Sequence, residues 1–211
     1  NTTASNNTAV GYQALLDNVT GTSLVAVGYQ ALANNTANSN TAVGLSALFT
    51  NTTGSENTGL GTGALYANTT GASNSAVGYG ALDSNTTGSY NTALGRDALT
   101  ANTTASYNTA VGYQALYNAT TAVQNTAIGR EAGYTLTTGG VNTMVGDDAG
   151  KFATTGTKNT FVGQSSGYNM TTGSKNTIIG RFYGNQHGLD IRTSDNNIVL
   201  SDGDGTPRLY Y

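Results

Sequence analysis

Residues 85–99 read NTTGSYNTALGRDAL, and residues 102–116 repeat the pattern as NTTASYNTAVGYQAL. Aligned on the glycine that follows Asn-Thr-x-apolar, the same unit runs the length of the chain. Its anchors are Gly11, Gly28, Gly44, Gly61, Gly78, Gly95, Gly112, Gly129, Gly146, Gly163 and Gly180, spaced by 17 residues except for the 16 between Gly28 and Gly44. A fixed period over eleven copies marks a solenoid or other stacked array.

Each unit carries two glycines and several Asn and Thr, all poor helix formers, so helix is excluded. The runs TAVG and NTIIG, bounded by Gly, Asn and Ser, predict strands of three to five residues. Seventeen is odd, so in/out alternation cannot carry from one unit to the next and a corner must reset it. The anchor glycine and the NTTG run are the two corners, which gives about two short strands per coil. Ala105 and Ala122 stand where other units have the NTTG glycine, so that corner does not require positive φ. The anchor glycine is never replaced, which requires either positive φ or a close backbone approach. Coils stacked about 4.8 Å apart would make a rod on the order of 50 Å long. Asn7, Asn40, Asn57, Asn74, Asn91, Asn108, Asn125, Asn142, Asn159 and Asn176 form a column along it, where stacked amides can bond to their equivalents above and below.

Two apolar columns are the expected core. One precedes the anchor glycine: Val10, Val27, Val43, Leu60, Val77, Leu94, Val111 and Ile128. The other is Leu15, Leu32, Leu48, Leu65, Leu82, Leu99 and Leu116. This supply is thin for a solitary chain that must order its whole backbone, and pooling the apolar faces of several chains would offset it. A homo-oligomer is therefore expected. After residue 130 the Leu column becomes Gly133, Gly150, Gly167 and Gly184, while Met144, Phe161 and Ile178 become large where earlier units have Ala or Gly. Either the cross-section or strand register changes there, with these three in the core, or the repeat simply drifts. After Gly180 the period fails. Asn197-Ile198-Val199-Leu200-Ser201 resembles one more unit displaced by four residues, so 1–184 is read as shaft and 185–211 as a cap or transition segment.

Composition excludes several function classes. Only 9% of the 211 residues are charged, against a usual quarter, and the net charge of −3 comes with no Lys/Arg run, so no nucleic-acid partner is expected. There is no cysteine for a disulfide and no apolar run near the length of a membrane span; Asn1 does not open a signal peptide, and the chain reads as part of something longer. One His, no Cys and few carboxylates build no nucleophile–base set or metal cluster, so neither enzyme activity nor a cofactor is expected. Asp147 and Asp148 are adjacent and would point to opposite faces of a strand. Asp97 and Glu131, beside Arg96 and Arg130, read as surface charges. Asp202-Gly203-Asp204-Gly205 weakly echoes a calcium loop but lacks its further oxygen ligands, and a polar turn is the plainer reading. The N-x-T triplets, such as Asn51-Thr52-Thr53, follow from the repeat, and bare Asn is expected there.

Surface tyrosines are the candidate receptor contacts. Tyr12, Tyr29, Tyr79 and Tyr113 share one repeat position, and Tyr90 and Tyr107 share another, which Lys158 and Lys175 occupy further down. The rings either cover neighbouring coils or form a sugar-binding stripe, since an aromatic face with a polar handle suits amphipathic ligands. The lysines are either a solvated column or contacts for anionic polysaccharide. The pairs Thr52-Thr53, Thr69-Thr70, Thr86-Thr87 and Thr103-Thr104 raise ice binding as another class, although they are contiguous and lie at a corner.

NTAVGYQAL with NTTGSxN, closed by NNIVLSDGDGTPRL, resembles the shaft of bacteriophage tail fibres; in many of these a self-cleaving intramolecular chaperone follows the fibre. The xAVG and xAIG steps are also similar to the head repeats of trimeric autotransporter adhesins, whose shorter units coil into a left-handed parallel β-roll. The resemblance implies an all-β, β-roll-like homotrimer in a virion, in contact with other tail proteins and a host polysaccharide or protein receptor. The alternative it implies is a bacterial cell-surface adhesin head.

Overall fold

The computed structural model describes residues 4–211, and the described residues form no helix. Eleven three-residue strands, one per coil, run from β1 (Thr8–Val10) to β11 (Thr177–Ile179). Each pairs in parallel with the strand of the next coil, in register, so Thr8 faces Val25 and Thr160 faces Thr177. The chain is a parallel β-solenoid of about eleven turns with a 17-residue period. The one short unit keeps the register, with Val25 opposite Thr41, because the missing residue falls in the corner between Asn35 and Asn40.

Only one regular strand forms per coil, not two. The remainder is a chain of turns, because three positions per coil besides the anchor glycine adopt positive φ, most of them held by other residues. Around Gly95 these are Tyr90 at 60°, Asp97 at 56° and Leu99 at 53°. Alternation cannot survive such residues, yet the backbone stays hydrogen-bonded between coils. The Leu99 N–H donates to Ala115 O at 3.0 Å in the following coil, and the Asp97 N–H to Tyr79 O at 2.8 Å in the preceding one. The anchor glycines combine both expected features. Gly95 has φ 141°, and a Cβ on it would lie 2.4 Å from Gly112 O.

Inside the coil, the middle residue of each strand (Ala93, Ala110, Ala127) faces the Leu column, and both are fully buried. From residue 133 the partition reverses. Met144, Phe161 and Ile178 are fully buried, as expected, and the first two lie over glycines that replace leucine. A Cβ on Gly150 would be 2.6 Å from Met144 Sδ, and one on Gly167 would be 2.8 Å from the Phe161 ring. The strand register does not change across this handover, since Ala127 pairs with Met144 and Met144 with Phe161. Only the filling of the core changes. Gly150→Ala should therefore destabilise the wild type, and Met144→Ala should relieve part of that penalty. Chemical denaturation of the double-mutant cycle is expected to give a coupling of about 0.5–3 kcal/mol; strict additivity would count against direct packing.

Two asparagine columns hold the coils together. In the expected one, Asn91 Oδ1 accepts the Asn108 N–H at 3.0 Å, and Asn91 Nδ2 donates to Ala105 O at 2.9 Å. Its bonds are thus chiefly side chain to backbone, with longer amide–amide contacts such as Asn108 Nδ2 to Asn91 Oδ1 at 3.3 Å. A true amide ladder lies in the second column, at the Asn of NTT. There Nδ2 of Asn51, Asn68, Asn85 and Asn102 each donates to Oδ1 of the residue one coil earlier, at 2.7–2.8 Å. The ladder stops where Ala119 follows, and Asn102 Oδ1 is left buried without a donor. Beyond it Leu136 and Met170 fill the same column. Asn68→Ala would strand Asn51 Oδ1 in the same way. We expect a loss of about 1–3 kcal/mol in denaturation; an unchanged midpoint would mean that water replaces the amide.

The end of the chain rejoins the rod. After a small hairpin, β12 (Asn185–Gln186) with β13 (Leu189–Asp190), strand β14 (Ile198–Ser201) pairs in parallel with β11 as the predicted further rung. Strand β15 (Pro207–Tyr210) then pairs with β14 in antiparallel orientation and covers the sheet edge. Unpaired edges template association, so covering one is a structural task. The Asn column ends here too, with Asn197 Oδ1 accepting the Tyr210 hydroxyl at 3.0 Å.

Candidate functional site

A three-residue strand in Thr-Ala-Val form turns its centre inward and both flanks outward. The column Val10, Val27, Val43, Leu60, Val77, Leu94, Val111 and Ile128, expected in the core, is therefore on the outside. Its members are half-buried or exposed, with Val10 at 58% and Leu94 at 46%. The reason is volume: the Leu column already occupies the interior, so only Ala or Gly fits at the inward strand position. Val145, Val162, Ile179 and Leu200 continue the outward column. One aliphatic stripe thus runs along the sheet face from β1 to β14, beside a column of outward Thr and Ser from the same strands.

Tyr12, Tyr29, Tyr79, Tyr90, Tyr107 and Tyr113 are all exposed. Four of them form two stacked pairs, and the six make no continuous stripe. Tyr12 stacks on Tyr29 at 5.3 Å and Tyr90 on Tyr107 at 5.1 Å, but Leu45, Thr62 and Arg96 interrupt the first column. Tyr79 carries the Arg96 guanidinium over its ring at 5.4 Å. Lys158 and Lys175 are exposed in the Tyr90 column. A third aromatic column, five residues after the anchor glycine, escaped the sequence reading; it stacks Phe49 on Tyr66 at 5.5 Å and Tyr117 on Tyr134 at 5.2 Å. Its signal was the recurrence of Tyr66, Tyr117 and Tyr134 at one repeat position.

Asp147 and Asp148 do not point apart, because they sit in a turn and not a strand. Both reach Arg130: Nε lies 2.8 Å from Asp147 Oδ1, and a terminal nitrogen lies 2.8 Å from Asp148 Oδ2. These bonds, with the one from Asp147 foremost, push the guanidinium above its ordinary range. Lys151 bonds to Glu131, which lowers the Glu131 carboxyl from its usual value. The group spans two coils at the handover of the core and clamps them together. Asp202 is likewise engaged, accepting the Thr206 N–H at 3.0 Å and the Arg208 guanidinium at 2.6 Å. That is the bonding of a polar turn. Among the described residues, no group of three or more His, Cys, Asp or Glu is placed to hold a metal ion, and no helix is long and apolar enough to cross a membrane.

The Thr pairs divide at their corner. The first Thr of each pair spends its hydroxyl between coils, as where Thr86 Oγ1 donates to Thr103 O at 3.0 Å, while the second (Thr53, Thr70, Thr87, Thr104) is exposed. No protein-family model, curated protein or solved structure matches this chain.

Proposed function

We propose that the chain is a non-enzymatic structural fibre, the shaft of a phage tail fibre, which assembles as a homotrimer and attaches to host-surface glycans. The observation that carries this reading is the aliphatic stripe from Val10 to Leu200, which runs from β1 to β14 and is left half-buried or exposed by the described residues. A stripe of this length supplies the apolar burial that the slim Ala/Leu interior lacks. Repeated side by side about an axis, three such faces close into a ring with no free seam. Clamps between coils, the covered sheet edge and the amide ladder suit a load-bearing rod. Exposed Tyr pairs on its flanks suit weak contacts repeated along a fibre and multiplied by copy number.

The native mass of the chain in solution tests the assembly, with three times 21.4 kDa expected and a single copy overturning it. Adsorption of the labelled protein to intact and deglycosylated bacterial cells tests attachment. A bacterial surface adhesin head would share the geometry; location of the protein in purified virions separates the two.

A further inference from the structure

Two residues after the anchor glycine the backbone is left-handed in every coil from Gln13 to Ser165, with φ between 53° and 66°. Gln, Ser, Asp and Glu all occupy this position, and Gln30 Nε2 even donates to Gln13 Oε1 at 2.7 Å along the rod. The backbone therefore tolerates a side chain here. Glycine stands there in two consecutive coils, at Gly63 and Gly80, and what it supplies is room.

That room is a cleft of about 170 Å³. Gly63 and Gly80 line it together with Thr62, Tyr79, Asp83, Asp97 and Thr100. Asp83 Oδ1 lies 3.4 Å from where a Gly63 Cβ would be, and Asp97 Oδ1 lies 2.8 Å from that of Gly80. The two carboxylates have thus swung into the space left by the missing side chains. Asp97 is paired with Arg96 at 3.2 Å, and Arg96 braces Tyr79. Thr100 spends its hydroxyl on Gly80 O at 3.1 Å. Asp83 has no such partner among the described residues, and burial with the nearby Asp97 charge pushes its carboxyl up. The cleft sets two carboxylate acceptors and the Thr62 and Tyr79 hydroxyls beside an aromatic ring. A ligand that fits must donate hydrogen bonds from adjacent atoms and present an apolar edge to the ring. The vicinal hydroxyls and C–H face of a pyranose do both.

We propose that this cleft binds one pyranose unit of a surface glycan, its adjacent hydroxyls donating to Asp83 and Asp97 and its ring resting against Tyr79. The proposal rests on the reading of the chain as a glycan-contacting fibre. A divalent cation is the lesser fit: Arg96 already satisfies Asp97, which leaves one free carboxylate where such an ion needs several oxygen ligands.

Saturation-transfer NMR on the assembled protein tests it, with methyl glucoside, galactoside, mannoside and N-acetylglucosaminide at millimolar concentration. At least one should receive saturation. Gly63→Gln, which installs the residue type native at the same position of other coils, and Asp83→Asn should each weaken that signal at least about tenfold. Their native mass should stay unchanged, and the melting temperature of Gly63→Gln should fall only by what a β-carbon at positive φ costs. No saturation with any glycoside overturns the proposal, as does a signal that survives Gly63→Gln. Calcium chloride binding by calorimetry that Asp83→Asn abolishes, without glycoside binding, replaces it with a cation site. Cell adsorption is read separately. Variants that lose the glycoside but still adsorb sink this cleft's part in attachment, whereas wild type that binds the glycoside but never adsorbs sinks the fibre reading and leaves the cleft.

Discussion

In the proposed trimer, Leu94→Asp with Val111→Asp is expected to reduce the native mass from three chains to one while the far-ultraviolet signature of the coils persists. Both side chains face outward from adjacent strands, whereas the interior of the same coils is filled by Ala93, Leu99, Ala110 and Leu116, which the change does not touch. Each half-exposed aliphatic contributes roughly 1 kcal/mol when covered. Two sites in three copies then amount to about 6 kcal/mol per assembly, before the cost of burying carboxylates without partners. Thr104→Asp, on the exposed corner, should leave the mass unchanged. Sedimentation or light scattering reads the result. If the double variant stays trimeric, the chains meet along another face; if Thr104→Asp also dissociates it, the aliphatic stripe is not the seam.

How much of this was legible before the structure depends on which column is asked. The period, the strand positions, the Asn column, the buried Leu column and the extra rung at Ile198–Ser201 all follow from spacing and residue type, and all are found. The direction of the Val10–Ile128 column was misjudged by assuming that every large apolar residue faces inward. The correct direction was nonetheless implicit in the handover. Where leucine gives way to Gly150 and Gly167, Ala gives way to Met144 and Phe161, so those two columns share one space and the valines must lie outside it. Harder to see was leucine at positive φ. A β-carbon there costs about 1–2 kcal/mol, which makes it a poor expectation for Leu99 or Leu116. The only signal was exchange with glycine in the same column, at Gly133 and beyond. The second strand per coil was expected for the same reason: nothing in LGRDAL announces two left-handed residues. The outer surfaces were the least legible, since Gly63 and Gly80 look like drift until Asp83 and Asp97 are seen to fill the space beside them.

The anchor glycines offer the sharpest test of what the repeat requires, because they can be set against glycines that need only a left-handed backbone. Gly63 and Gly112 both have positive φ, at 66° and 135°. The first lies in the left-handed helical region that other residues can enter and the second outside it, and they differ as well in what a Cβ would meet. At Gly63 it finds only Asp83 Oδ1 at 3.4 Å, an ordinary contact. At Gly112 it would be driven to 2.4 Å from Gly129 O and 2.6 Å from its carbonyl carbon, so the next coil must move. Gly63→Ala should therefore cost about 1–2 kcal/mol, the backbone penalty alone. Gly112→Ala should cost more than about 4 kcal/mol, in the range of severe single substitutions. The loss should also be local. Coils in a solenoid are coupled chiefly to their neighbours, so weakening one junction divides the rod into blocks. Hydrogen exchange should show faster opening of the Gly129 N–H, which donates to Val111 O at 2.8 Å, and of the Thr109–Val111 and Thr126–Ile128 strands, with coils four or more away unchanged. Denaturation should broaden or split into two transitions. Equal losses for the two alanines would mean that neither the wider φ nor the close stacking of the coils dictates the anchor.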